Sequence, residues 1–304
     1  MGPALAEPIH DQAEGLRRLL VQDFLRVITV TSGNTGAGRT TAVINLAAAL
    51  ARNGRNVLVI DENASASNVS ATLGLNAHRD LLDVIRRDKT LDDVIISGPE
   101  GFFILPAGRG MRVLEKLSAD DRAYLIGCFA HLAQPVDLVL IDAAPGRSSC
   151  LLPFTFSTHE IVVIVSPEPP SITAAYALIK HISGFYHDKR RNFNVLVNRA
   201  RNETEAQMIF DNMAGAARCY LEVELDFMGF IPQDRKLCLG PPVAGTFQPS
   251  ASAIAFHHVA ELLTDRPRQD AESATEGRGL ERFMQGLLQS SQSSIVNGLS
   301  TSSR

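Results

Sequence analysis

The sequence predicts an α/β fold: a doubly wound, mostly parallel sheet with helices on both faces. Three observations carry this. Seven short runs are apolar almost throughout, stretches with helical periodicity separate most of them, and the first run leads directly into a glycine-rich turn and a helix. Continuous rather than alternating hydrophobicity is what strands covered on both faces require, and helices between successive strands are the mark of repeated βαβ crossovers.

In chain order, HDQAEGLRRLL comes first, with Asp11 placed to cap a helix, Glu14 three residues on, and Ala13, Leu16 and Leu20 on one face. RVITVTS from Arg26 is the first strand, and a helix from Thr40 to Asn53, which contains AVINLAAALARN, follows its turn. NVLVID from Asn56, FFILPA from Phe102 and LVLID from Leu138 are the next strands, with a helix from Ala119 to Ala133 before the last of them. EIVVIVS from Glu160, FNVLVN from Phe193 and FMGFIP from Phe227 then alternate with helices Ile172 to Tyr186 and Thr204 to Tyr220, and a helix from Ala251 to Leu263 closes the unit. Beyond it the composition turns to Arg, Glu, Gln and Ser, and a polar tail from about Gln289 is expected to be disordered. These features divide the chain into an N-terminal helix (1–25), a sheet domain (26–265) and a tail (266–304) with a short amphipathic helix.

Composition excludes several classes. At 304 residues with 45% hydrophobic and 20% charged residues, the chain can bury a sizeable core and is not disordered as a whole. No apolar run approaches the ~18 residues of a spanning helix, and Glu7, Asp11 and Glu14 stand where a secretory signal would need an apolar stretch, so a cytoplasmic protein is expected. Four scattered cysteines without a Cys-x-x-Cys argue against a disulfide framework, a zinc site or a thioredoxin-like motif. A net charge of -4 gives no global field for nucleic acid or anionic lipid. Lys189, Arg190 and Arg191 read most simply as a solvated loop, and His257 and His258, adjacent on a helix, point to different sides and make a poor metal pair.

The chemistry concentrates in SGNTGAGRTT, Ser32 to Thr41. Gly33, four residues, then Gly38-Arg39-Thr40 is the Walker A spacing with Arg in place of Lys. Glycines let successive backbone N–H groups curl into an anion nest at a helix N-terminus, where the helix dipole favours phosphate. Thr40 supplies a hydroxyl for Mg²⁺, and the basic residue reaches the β- and γ-phosphates of ATP, or the β-phosphate of ADP.

This loop resembles the deviant Walker A of the MinD/ParA superfamily, Lys-Gly-Gly-x-Gly-Lys-Ser/Thr: Gly36, Gly38 and Thr40 match, while Asn34 stands at the signature lysine, Thr35 at the first glycine of the pair and Arg39 at the Walker lysine. VLVIDENASASNVSATLGL from Val57 and SPEPPSITAAYALIK from Ser166 resemble its flagellar branch, the FlhG/FleN flagellar-number regulators, and DAAPG (Asp142 to Gly146), VNR (Val197 to Arg199) and GFIPQD (Gly229 to Asp234) follow in the expected order. The resemblance implies a nucleotide site of Gly33, Gly36, Ala37, Gly38, Arg39, Thr40 and Thr41. It places Gly146 at the γ-phosphate, Asn198, Pro232 and Asp234 around adenine, and Thr40, Asp61 and Asp142 on the metal side. It also implies a nucleotide-dependent homodimer.

Four departures from the pattern fall where chemistry or dimer switching is expected. The acid that positions the attacking water is replaced in Asp61-Glu62-Asn63, because Asn63 is an amide that cannot accept a proton. Asn34 carries no charge to reach a partner's phosphates, Arg39 is a planar guanidinium that is not interchangeable with a compact ammonium, and Ala174 stands where the branch usually has Asp. The sequence therefore predicts nucleotide binding with slow or absent hydrolysis, with Asn63, Arg39 and Asn34 as the altered catalytic positions.

Asp11-Gln12-Ala13 followed by Leu16-Arg17 matches the Asp-Gln-Ala-x-x-Leu-Arg motif with which the flagellar branch stimulates FlhF, a signal-recognition-like GTPase. The resemblance further implies contact with flagellar switch or transcription-factor proteins. Leu280, Phe283, Leu287 and Leu288 form an apolar stripe where MinD relatives carry a membrane-targeting helix, although Glu276 and Glu281 among its flanking arginines weaken lipid attraction. Two other readings of the same fold are a ParA-like partition protein, which needs a basic surface, and an ATP-dependent biosynthetic ligase, which needs a substrate pocket and real turnover.

Overall fold

In the computed structural model, the described residues are 25–65, 68–144, 158, 160–185, 192–235, 237, 250–265 and 279–300. Residues 1–24, which hold the Asp11 to Arg17 motif, and Gly146 lie outside them.

The strands are β1 (Arg26–Ser32), β2 (Val57–Asp61), β3 (Ile96–Ser97), β4 (Phe103–Pro106), β5 (Leu138–Asp142), β6 (Glu160–Val165), β7 (Asn192–Ala200) and β8 (Leu225–Pro232). They form one sheet in the order β3-β4-β2-β5-β1-β6-β7-β8, every pair parallel except β3 with β4. The longer helices are α1 (Arg39–Arg52), α2 (Ala119–Ala130), α3 (Pro169–Phe185), α4 (Glu203–Leu221), α5 (Ala251–Asp265) and α6 (Gly279–Ser300). Short helical turns at 69–72, 81–85, 91–94 and 108–111 fill the connections between β2 and α2.

The period of two along each strand splits the core into two layers. Ile28, Val30, Val57, Val59, Leu138, Leu140, Val162 and Ile164 face one way, and α1 and α5 cover them with Ile44, Leu46, Leu50, Phe256 and Leu263. Leu58, Ile60, Val139, Ile141, Ile161 and Val163 face the other way, where Phe129, Ile179, Met213 and the α6 residues join the same cluster. This two-sided burial explains why the strands read as unbroken apolar runs. It also places the carboxyl ends of β1, β2 and β5 side by side around β1, from which successive crossovers depart in opposite directions. Such a reversal opens a crevice at the sheet edge, where open α/β sheets bind ligands.

The tail departs from the sequence expectation. Helix α6 continues to Ser300, past the point where polar composition predicts loss of order. Leu280, Phe283, Leu287 and Leu288 are buried with Met284, and α6 packs along α2. The stripe read as a membrane-facing surface is an intramolecular packing face in this structure, because the apolar residues of α2 and the sheet offer it the same burial a lipid surface would. Leu287, 1% exposed, is expected to cost about 2–5 kcal/mol when truncated to alanine, the usual range for a buried leucine. Urea unfolding of Leu287→Ala checks this, and an unchanged midpoint would mean that α6 does not belong to the core. Among the described residues no helix is long and apolar enough to cross a membrane.

Candidate functional site

The site is assembled from the ends of β1, β2, β5, β7 and β8. The chain leaves β1 at Ser32, whose hydroxyl donates to the Asn34 carbonyl at 2.9 Å. It then turns through Gly36 (φ 86°) and Gly38 (φ 87°), both in the left-handed region open to glycine. Gly33 is needed for a different reason. A Cβ there would lie 2.1 Å from the backbone carbon of Ala174, so the loop rests directly on α3. Gly38 is the N-cap of α1 and has no side chain to cap it, and no acidic residue occupies the first turn. The opening N–H groups of a long helix are thus left for an external acceptor, as an anion site requires.

Beneath the loop lies a charged cluster. Asp142, at the end of β5, is fully buried. Its Oδ2 accepts from the Thr40 hydroxyl at 2.8 Å, and its Oδ1 accepts from Arg39 Nε. Asp61 lies opposite Asp142 in the strand register. Its two oxygens accept backbone N–H bonds from Asn63 at 3.0 Å and Val69 at 2.7 Å. Burial, and then repulsion from Asp142, push the Asp61 carboxyl up to about 7, against the pull of the two backbone donors and of Arg39. A carboxyl raised on folding from its usual ~3.9 binds a proton in the folded state, so stability falls as pH rises from about 4 to about 7. Comparing urea midpoints across that window, the wild type should lose more stability than Asp61→Asn. Parallel profiles would show that Asp61 does not titrate there.

The remaining expected residues are placed as follows. Asn34 keeps a buried side-chain oxygen with no hydrogen-bond partner. Asn63 accepts from the Ser65 backbone N–H at 3.0 Å and so shapes the loop after β2. Ala37 is buried under the loop, and the Thr41 carbonyl accepts from the Asn45 amide at 2.8 Å. Asn198 donates Nδ2 to the Ala37 carbonyl at 2.9 Å, tying β7 to the loop. Pro232 ends β8 in register with Ala200. Asp234 accepts from the Ser252 hydroxyl at 2.6 Å and fastens the end of β8 to the first turn of α5.

Two contributors escape sequence reasoning. Arg199, one of four non-glycine residues with positive φ (61°) among those described, donates to the Gly36 carbonyl across the loop. Glu62 is buried and accepts from the Ala144 N–H at 2.9 Å, joining the segment after β2 to the one after β5. For Arg199 the sequence signal is its place in the VNR motif, which assigns no role to its side chain. Glu62 offers the misleading one of a charge between two other polar residues.

Among the described residues no three His, Cys, Asp or Glu form a metal cluster. The oxygen donors of Thr40, Asp61 and Asp142 nevertheless suit Mg²⁺, which takes one or two carboxylates and completes its shell with water and phosphate oxygens. These are the residues that would hold it. The loop's free N–H groups and the buried, unpartnered Nη1 of Arg39 are donors of the kind a phosphate accepts.

Comparison with known proteins agrees with this geometry. The family described as an AAA domain matches residues 25–195. The antiactivator FleN of Pseudomonas aeruginosa is 34% identical over 269 residues, covering 87% of this chain and 94% of that protein. The flagellum site-determining protein YlxH of Helicobacter pylori is 23% identical over 273 residues, covering 86% and 90%. Among solved structures, the septum site-determining protein MinD of Pyrococcus horikoshii, complexed with Mg-ADP, superposes with a TM-score of 0.58 at 23% identity, over 80% of this chain and 97% of that one.

Proposed function

The chain belongs to the MinD/ParA superfamily of P-loop proteins, in the branch that holds FleN, and from that membership we propose that it is a nucleotide-binding regulator of flagellar number or placement. The observation that carries the nucleotide part is the uncapped start of α1 above Thr40 and Asp142, an anion nest with a hydroxyl and a carboxylate beneath it. The names of two relatives, an antiactivator and a flagellum site-determining protein, support the flagellar part.

In this reading ATP or ADP lies on residues 33–41, with Asn198, Pro232 and Asp234 on the adenine side and Gly146 near the γ-phosphate. Thr40, Asp61 and Asp142 are the residues that would hold Mg²⁺, which would neutralise phosphate charge, although Arg39 and Thr40 already engage both oxygens of Asp142. Hydrolysis is slow. Asn63 spends its acceptor on Ser65 and has no basic oxygen for a water's proton, Asn34 brings no charge, and Arg39 is held by Asp142. The protein therefore acts as a slow nucleotide-dependent switch, and its output passes through the N-terminal arm. Asp11, Gln12, Ala13, Leu16 and Arg17 dock on an FlhF-type GTPase, while the nucleotide domain, as a monomer or homodimer, contacts flagellar switch or transcription-factor proteins.

Counting flagella by electron microscopy in cells lacking the gene tests the reading. An increase or displacement of filaments, reversed by the wild-type gene but not by one encoding Gly38→Val, is the expected result. Unchanged filament number and position would overturn it.

A further inference from the structure

Asp61 and Asp142 are two buried carboxylates in register on adjacent strands, and a cation of the chain itself acts on both. Arg39 is 6% exposed. It pairs through Nε with one oxygen of Asp142, and its charge also acts favourably on Asp61. The other oxygen of Asp142 is taken by Thr40 at 2.8 Å. Both oxygens of Asp142 thus already accept a hydrogen bond, one of them from a cation. A guanidinium does not lose its proton in proteins, so this competitor is present at every working pH. A metal that displaces Arg39 from Asp142 leaves a buried guanidinium without its counter-ion, which is costly. The pairing uses Nε, while Nη1 remains buried without a hydrogen-bond partner. The same side chain can therefore keep Asp142 and still offer a donor to a phosphate oxygen.

We propose that Arg39 takes the place at Asp142 that a divalent cation would need, so that this chain binds nucleotide with little assistance from Mg²⁺. The guanidinium bridges Asp142 and the phosphates, and supplies there the charge that the metal supplies in sites with a lysine. A lysine at 39 would not do this. Its ammonium is a compact point charge on a flexible stem that serves one acceptor group at a time, and when turned to the phosphates it leaves Asp142 open.

This inference rests on the nucleotide reading above, and the experiment separates the two. ADP is titrated calorimetrically into the full chain, once in excess Mg²⁺ and once in excess EDTA. The wild-type dissociation constants should differ by less than about fivefold, and those of Arg39→Lys by more than about fivefold, tighter with Mg²⁺. Wild-type affinity that falls by more than that on metal removal overturns the proposal and leaves the nucleotide reading intact. A lysine variant as indifferent to metal as the wild type also overturns it, because Arg39 would then not be what excludes the ion. If the lysine variant does not fold by circular dichroism, Arg39→Gln takes its place with the same expectation. Absence of binding by the wild type in both conditions defeats the nucleotide reading and this inference with it.

Discussion

A peptide of residues 1–25 is expected to accelerate GTP hydrolysis by an FlhF-type GTPase on its own, by about tenfold or more, since orienting water and stabilising transition-state charge are the parts of phosphoryl transfer most readily supplied in trans. On the proposed reading, Asp11 caps a helix whose Leu16 and Leu20 anchor it in a groove, and Gln12 and Arg17 reach a partner's phosphates together. A helix of this length is marginal alone in water and would order on docking, so the effect should saturate with peptide. Gln12→Ala should remove most of the stimulation, and Leu16→Ala should raise the concentration needed. An inert peptide, or a Gln12 variant as active as the parent, would make this segment a packing helix only.

The second large effect is a gain of function. Returning a carboxylate to position 63 and an ammonium to position 39 should raise ATP turnover by roughly 10²–10⁴, the usual contribution of a positioned general base. The two changes are expected to be cooperative. Asn63→Asp alone leaves Arg39 on Asp142, and Arg39→Lys alone frees Asp142 but leaves no group to accept the water's proton. Steady-state phosphate release from the wild type, both single variants and the double variant checks this. A wild-type rate already matching the double variant would show that Asn63 and Arg39 do not limit the reaction.

Much of this architecture was legible because the burial of a parallel sheet leaves its trace locally. The runs at Arg26, Asn56, Leu138 and Glu160 are apolar on both faces for the same reason that α1 and α5 cover one side and α2, α3 and α6 the other. The loop was legible because glycine spacing reports backbone torsion, and Gly36 and Gly38 do adopt positive φ. What stayed hidden depends on contacts between distant positions. β3 is two residues long and has no periodicity to detect. The pairing of Arg39 with Asp142 spans 103 residues, and that of Arg199 with Gly36 spans 163, so neither leaves a local pattern. The α6 stripe shows the complementary failure. An amphipathic spacing reveals that a helix has an apolar face, but only the fold shows that α2 covers it.

The central claim, that residues 33–41 form a working nucleotide site despite their departures, is tested most directly by calorimetric titration of the full chain with ATP and with ADP. The account predicts saturable binding of both nucleotides at one site per chain, lost in Gly38→Val, whose side chain would press on the Asn198 amide. No heat and no thermal shift with either nucleotide at millimolar concentration would contradict it.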